Sequence, residues 1–274
     1  MYEIFQGKSE EVLCKLPSEK ARCCVTSPPY WQLKDYGVDD QLGTEATPEA
    51  FVDNLRGIFS EVRRILTDDG TLWLNLGDSY CGGGGYCPNA PSNKAGSKQS
   101  SSHGTKAAKR PVPPGYKHKD LAGVPWLVAH ALRQDGWYLR ADIIWEKTNA
   151  FPEKVTDRPT RNHEYVFLFS KSRRYYYDHE AIMEESATGG VRNRRAVWRL
   201  ARGSFRGAHF AVFPEKLVER CLLAGSAEGD LVLDPFSGAG TTGMVAQALK
   251  RDYWGIELNP EYCQIAEQRI TGDA

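Results

Sequence analysis

The sequence predicts an α/β protein built on a doubly wound, mostly parallel sheet. Short apolar runs rich in β-branched and aromatic residues alternate with amphipathic helical stretches over most of the chain. A glycine-rich turn, "SGAGTTG", separates one such run from the helical pattern after it. The 274 residues, 41% hydrophobic and 26% charged, suffice for one large α/β domain or two small ones.

In chain order, "ARCCVTSPPY" reads as a short buried strand. It must end at Thr26 or Ser27, because Pro28 and Pro29 have no N–H to give to a ladder. "TPEAFVDNLRGIFSEVRRILTDDG" reads as a helix with Thr47 as its N-cap and Pro48 in the first position. Phe51, Leu55, Ile58, Phe59, Val62, Ile65 and Leu66 recur there at helical spacing, and Gly70 is expected to close the helix. "TLWLNLGDSY" is a second buried strand. Residues 81–118 are dominated by Gly, Ser, Lys, Asn and Pro and bury too little apolar area to order themselves. "LAGVPWLVAHALRQDG" is a helix with Pro125 near its start, and "WYLRADIIWEKTN" and "NHEYVFLFSKS" are strands. Residues 171–208 read as an irregular, Arg-rich and aromatic segment. "PEKLVERCLLAGS" is a helix, and the remainder from "DLVLDPF" reads strand, glycine turn, helix, strand, helix.

No apolar run approaches the roughly 18 residues that cross a bilayer. The N-terminus lacks the basic start and apolar core of a secretory signal, so the expectation is a cytoplasmic protein with no membrane partner. Seven cysteines, at 14, 23, 24, 81, 87, 221 and 263, form no CxxC pair and no Cys/His cluster with zinc spacing. Reduced thiols and no metal are expected. Net charge is zero, yet residues 81–119 hold seven Lys or Arg and no acid, and residues 186–213 hold six Arg and no acid. Two such stretches on a neutral chain fit a polyanion bound along one face.

Gly238, Gly240 and Gly243 form a G-x-G-x-x-G after a strand and before a helix, and Glu257 ends the following strand. Glycines let the backbone approach a ligand, and a carboxylate two dozen residues on can accept from ribose hydroxyls. A nucleoside-containing cofactor follows, either a dinucleotide or S-adenosylmethionine. Asp234-Pro235, just before the turn, would repel a pyrophosphate and could pair with the ammonium of a methionine moiety, which favours the second.

The tip of the first strand asks for a different ligand. Pro28 and Pro29 stiffen it and remove two donors, leaving the Ser27 hydroxyl and nearby carbonyls as acceptors beside the flat faces of Tyr30 and Trp31. Such a pocket suits a planar group bearing an NH₂. Acceptors that take both amine hydrogens free the nitrogen lone pair from the ring, and a stacked Tyr holds the base.

Ser27-Pro28-Pro29-Tyr30 is similar to the catalytic motif of amino-group DNA methyltransferases, (Asp/Asn/Ser)-Pro-Pro-(Tyr/Phe/Trp). "DPFSGAGTTG" resembles the S-adenosylmethionine motif of the same family, and the order of the two motifs matches its β group. The resemblance implies a Rossmann-like methyltransferase fold with a small DNA-recognition segment inserted, and S-adenosylmethionine as cofactor. It implies that Ser27, Pro28, Pro29 and Tyr30 hold the amine of a flipped-out base. Asp234, Phe236, Ser237, Gly238, Gly240, Thr241 and Thr242 would line the methionine side, Glu257 would bind the ribose, and Phe213 would lie in a further cofactor-contacting segment. Residues 1–170 would form the catalytic half, with a basic loop at 81–119. Residues 171–208 would form the target-recognition segment and 209–274 the cofactor half. Arg192, Arg194, Arg195, Arg199, Arg202 and Arg206 would grip DNA, helped by the Lys-rich loop. Lys8 stands where the family often has Asp before its first helix. Asp78 is a weaker candidate for that adenine contact and reads better as a turn residue. In the family Ser at the first motif position is typical of cytosine-N4 enzymes and Asp of adenine-N6 enzymes, so cytosine-N4 transfer is expected, with adenine-N6 as the alternative. Cytosine-C5 chemistry needs a Cys after a Pro, and Cys87-Pro88 has the reverse order. A restriction endonuclease acting on the same site is the protein partner such an enzyme would have.

Overall fold

The computed structural model describes residues 1–33, 41–82, 112–203 and 213–272. Its elements are β1 (Tyr2–Gln6), α1 (Ser9–Leu13), β2 (Ala21–Thr26), α2 (Pro48–Ile65), β3 (Leu66–Leu76), α3 (Val124–Gln134), β4 (Tyr138–Lys147) and β5 (His163–Ser170). A 3-10 turn (Glu180–Ile182) and a small hairpin of β6 (Glu184–Glu185) and β7 (Val191–Arg192) follow. The chain then forms β8 (Val197–Leu200), α4 (Glu215–Gly225), β9 (Leu231–Asp234), α5 (Thr241–Ala248), β10 (Asp252–Glu257) and α6 (Pro260–Thr271).

Eight strands make one sheet in the order β1-β10-β9-β2-β3-β5-β4-β8. The first five run parallel, β5 runs against both of its neighbours, and β8 is parallel to β4. The alternation of side chains along β3 builds both layers of core. Leu72, Leu74 and Leu76 meet Phe51, Leu55 and Phe59 of α2 on one face. Trp73 on the other face meets Leu217 and Cys221 of α4 and Trp198 of β8. Cys23 and Cys24 are fully buried, one to each face, as strand filler.

The helix from Pro48 is capped as the sequence implies: Thr47 Oγ1 accepts from the N–H of Ala50 at 3.2 Å. It ends at Ile65 rather than at Gly70. Ala21 pairs with Leu66 but Cys23 with Thr71, so residues 67–70 bulge out inside the extended strand and Gly70 belongs to that bulge. Two further elements depart from the sequence reading. Tyr2–Gln6 adds an edge strand beside β10, and Val197–Leu200, expected to be irregular, joins the opposite edge beside β4.

After β9 the chain passes through α5 to β10 on one side; after β2 it passes through α2 to β3 on the other. The β2/β9 junction is therefore the topological switch point, where open α/β sheets bind ligands beyond the carboxyl ends of their strands.

Candidate active site

Because β5 is antiparallel, its start lies at the same sheet edge as the ends of β2, β3, β4, β9 and β10. That edge gathers Ser27, Asn75, Lys147, Glu164, Asp234 and Glu257.

At the tip of β2, Ser27, Pro29 and Tyr30 are partly open while Pro28 is buried. The Tyr30 hydroxyl donates to Glu164 Oε2 at 2.6 Å and accepts from Asn75 Nδ2 at 2.6 Å. Asn75 Nδ2 also lies 2.9 Å from Glu164 Oε2 and 3.3 Å from Ser27 Oγ. Lys147 pairs with Glu164 and stands 4.8 Å from the ring centre of Trp145. The absence of a side chain at Gly77 makes room for the ring of Tyr30: a Cβ there would lie 2.6 Å from Tyr30 Cε2. Trp31 is buried and donates from Nε1 to the carbonyl of Glu45 at 2.9 Å, a wall rather than an open face.

Asn75, Glu164 and Lys147 were not singled out from sequence. The usable signal was a lone amide inside the apolar run "TLWLNL", since a polar group in a buried strand must have a partner.

The glycine turn is arranged differently. Asp234 is 1% exposed and accepts from Thr26 Oγ1 at 2.6 Å and from the N–H of Phe236 at 3.0 Å. Burial pushes its carboxyl up to about 6 against these bonds. Its partners join β9 to β2, so the structure gives it a bracing position. Ser237 is buried against the Tyr253 hydroxyl at 2.8 Å. Thr241 accepts from buried Arg269 at 3.1 Å, and Thr242 donates to the carbonyl of Val25 at 3.3 Å. None of these three side chains lines an open surface, contrary to expectation. Gly240 and Gly243 serve packing: a Cβ would lie 2.7 Å from Ala266 Cβ at the first and 2.5 Å from Ile270 Cδ1 at the second. Gly238 alone of the three faces space, where a Cβ would meet nothing nearer than 4.0 Å, and its φ of +52° favours glycine. Its N–H donates to Glu257 Oε2 at 2.8 Å, and the N–H of Asn259 donates to Oε1 at 2.8 Å. Burial raises the Glu257 carboxyl above its ordinary range, with these two donors opposing. Phe236 and Phe213 are half-buried at the same edge.

A cleft of about 400 Å³ opens beside Tyr30, walled by Gly77, Tyr80, Lys147, Glu153, Arg158, Arg161, His163 and Glu164 among others. The Arg158 guanidinium lies 3.9 Å over the Tyr80 ring, and Arg161 donates to the carbonyl of Asp78 at 2.8 Å. Asp78 itself accepts from the N–H groups of Gly123 and Val124 at the start of α3, which makes it a turn and capping residue.

The arginine segment is only partly available. Arg192 and Arg194 pair with Glu184, and Arg194 also donates to the carbonyls of Ile182 and Met183. Arg199 is exposed but paired with Glu146, Arg195 is exposed, and Arg202 is tied to Asn149. Trp198, at the centre of the segment, is 3% exposed in the core. Arg206, Cys87 and most of the Lys-rich loop lie outside the described residues.

A Rossmann-like α/β protein that binds a ligand at its switch point is the class that this sheet defines. Comparison with known proteins narrows it. Residues 21–268 match the family described as DNA methylase, of N6 and N4 type. The type II methyltransferase M.Cfr9I of Citrobacter freundii is 52% identical over 271 residues, 98% of this chain and 88% of that protein. M.SmaI of Serratia marcescens is 49% identical over 270 residues, covering 98% and 90%. The PvuII cytosine-N4-specific DNA methyltransferase shares the fold, with a TM-score of 0.71 at 20% identity over 98% of this chain and 86% of that one. A structure described as a DNA modification methylase of Thermus thermophilus, in complex with S-adenosyl-L-methionine, superposes with a TM-score of 0.67 at 25% identity, covering 100% and 94%. The chain belongs to the DNA methylase family. It is a DNA methyltransferase that takes its methyl group from S-adenosylmethionine.

The residues present fit that cofactor. The open space over Gly238 admits a ligand against the backbone, and the Glu257 carboxylate has acceptor sites beyond those its backbone donors take. No described helix is long and apolar enough to cross a membrane.

Proposed function

We propose that the enzyme methylates the exocyclic N4 amine of cytosine in a base flipped out of duplex DNA. The observation that carries this is Ser27, a hydroxyl and not a carboxylate, at the half-open tip of β2 beside the cleft. In this reading Ser27 Oγ and the backbone carbonyl beside it accept the two amine hydrogens, and the nitrogen lone pair turns out of the base plane toward the methyl donor. Pro28 and Pro29 hold those acceptors rigid. Tyr30 stacks on the base, its ring fixed by the hydrogen bond its hydroxyl donates to Glu164 and the one it accepts from Asn75. S-adenosylmethionine, when bound, supplies the methyl group. Glu257 accepts from its ribose, the backbone at Gly238 cradles it, and Phe236 and Phe213 flank it. Gly240, Asp234, Ser237, Thr241 and Thr242 act by shaping that turn from within.

Residues 1–170 act as the catalytic half and 209–274 as the cofactor half. Residues 171–208 act as the recognition segment, with Arg195, Arg199, Arg202 and Arg206 as DNA contacts. Arg192 and Arg194 hold that segment's hairpin to Glu184 as well as adding charge. Lys147, Arg158 and Arg161 stand at the cleft as cations that a phosphate could draw away from their partners, Lys147 being paired with Glu164 and Arg158 with Glu153. The relatives' names as type II methyltransferases support a restriction endonuclease as partner.

Methylation of DNA with labelled S-adenosylmethionine, followed by nucleoside analysis, tests the proposal. N4-methylcytosine is the expected product. N6-methyladenine would replace it by the alternative, and neither would reject both. Affinity for DNA should fall steeply between about 50 and 200 mM salt. Near-constant affinity would reject the assignment of the basic stretches.

A further inference from the structure

A base leaving a duplex opens a gap, and proteins that hold DNA in such a state often fill it with an apolar wedge. The loop between β4 and β5 carries a candidate that neither motif accounts for. Phe151 is 74% exposed, the most exposed aromatic ring among the large hydrophobic residues described. It stands four residues after Lys147 and two before Glu153, both of which wall the cleft beside Tyr30. At about 3.5 Å of chain per residue, the Cα of Phe151 is within roughly 14 Å of the Cα of Lys147. Its surroundings are built rather than incidental. Arg202 lies 3.5 Å over one face of the ring. The backbone N–H of Arg202 donates to Asn149 Oδ1 at 2.7 Å, and its Nε donates to the Asn149 carbonyl at 3.0 Å. One face of Phe151 is thus backed by a cation locked to its own loop, and the other is presented to solvent. A rigid ring with a guanidinium behind it, on the loop that also supplies Glu153, Arg158 and Arg161 to the cleft, is suited to stack on bases while the guanidinium meets the backbone phosphates.

We propose that Phe151, braced by Arg202, is the wedge that enters the duplex and occupies the place of the flipped base. The proposal rests on the reading of residues 27–30 as the pocket for a flipped base. The test uses duplexes carrying the site found by sequencing methylated DNA, in two forms: one with the target base paired, one with an abasic position opposite it. Phe151→Ala should methylate the paired duplex about tenfold or more slowly, and the abasic-opposed duplex within about threefold of wild type, because there the unpairing cost is already met. Phe151→Leu should recover part of the loss. A fluorescent base analogue beside the target, read without cofactor, should show less unstacking with the Ala variant than with wild type. Unchanged S-adenosylhomocysteine affinity would exclude misfolding. Equal losses on both duplexes, or none on either, would overturn the wedge. Failure of the wild-type protein to methylate any DNA would overturn the pocket reading itself.

Discussion

The two motifs at the switch point sit on neighbouring strands and use their side chains in opposite ways. At the tip of β2, Tyr30 lines a cleft, partly exposed Ser27 stands next to it, and Asn75 and Glu164 hold the Tyr30 hydroxyl, with Lys147 paired to Glu164. At the tip of β9, Asp234, Ser237, Thr241 and Thr242 are between 0% and 6% exposed and bond to the protein itself. One motif turns side chains toward open space. The other turns its polar groups inward to hold a backbone turn in shape, with open space only beside Gly238 among its three glycines. A row of polar residues in a sequence is therefore no guide to which way they point.

The comparison breaks first, if it breaks at all, at Tyr30. Tyr30→Ala should lower kcat on the order of 100-fold, comparable to removing one preorganised group from a transition-state site. Its affinity for S-adenosylhomocysteine, measured by calorimetry, should stay at the wild-type value. An equal loss of cofactor affinity would mean that the two strand tips do not divide the work. Asp234→Asn comes next and should act on stability with a specific pH dependence. The folded carboxyl lies at about 6, against an ordinary value of 3.8. Its protonated form is therefore favoured by folding, and that stabilisation is complete below the ordinary value and lost as pH rises through the folded value. Across that window Asn should gain up to about 3 kcal/mol relative to Asp in denaturant unfolding. A variant that tracks wild type at every pH would remove the bracing role. Gly243→Ala should cost about 1–3 kcal/mol by overpacking against Ile270 and Tyr253. Its thermal unfolding temperature should fall while kcat at saturating cofactor stays within about twofold of wild type, an effect expected of packing and not of ligand contact. Glu164→Gln sharpens the other side. Losing the charge should weaken the hold on the Tyr30 hydroxyl and lower kcat about tenfold with little change in Tm, roughly the worth of one charge-assisted hydrogen bond. Stability loss without a kcat effect would assign Glu164 to the scaffold.

The long helices and the central strands were legible because their apolar periods are unambiguous, whereas the two edge strands β1 and β8 are too short to carry a period. The helix α2 was the most legible, since its apolar stripe, its Thr47 cap and its Pro48 start all coincide. The end of that helix was not, because a four-residue bulge opposite Arg22 resembles an ordinary helix stop. The location of both motifs at strand ends could be read, but the direction of their side chains could not. That direction depends on which neighbour supplies Thr26 to Asp234 or Tyr253 to Ser237, and those partners lie 208 and 16 residues away. Charge along the chain is read incompletely for a similar reason. The acid-free window 186–213 begins just past Glu184, which neutralises Arg192 and Arg194, and Glu146 reaches Arg199 from another strand. A count along the chain is one-dimensional, whereas pairing follows the sheet.

The pairing of β1 with β10 and of β2 with β9 has a consequence in time. Ribosomes deliver the chain from its N-terminus, so the Ser-Pro-Pro-Tyr tip emerges more than 200 residues before the strand beside it. Until Leu231–Asp234 arrives, β2 has an unpaired edge and Thr26 has no acid to bond. A growing chain can expose the tip at Ser27–Tyr30 but cannot yet set the glycine turn after β9 next to it. The same long-range closure that makes the sheet slow to complete withholds the reaction from a partly made enzyme.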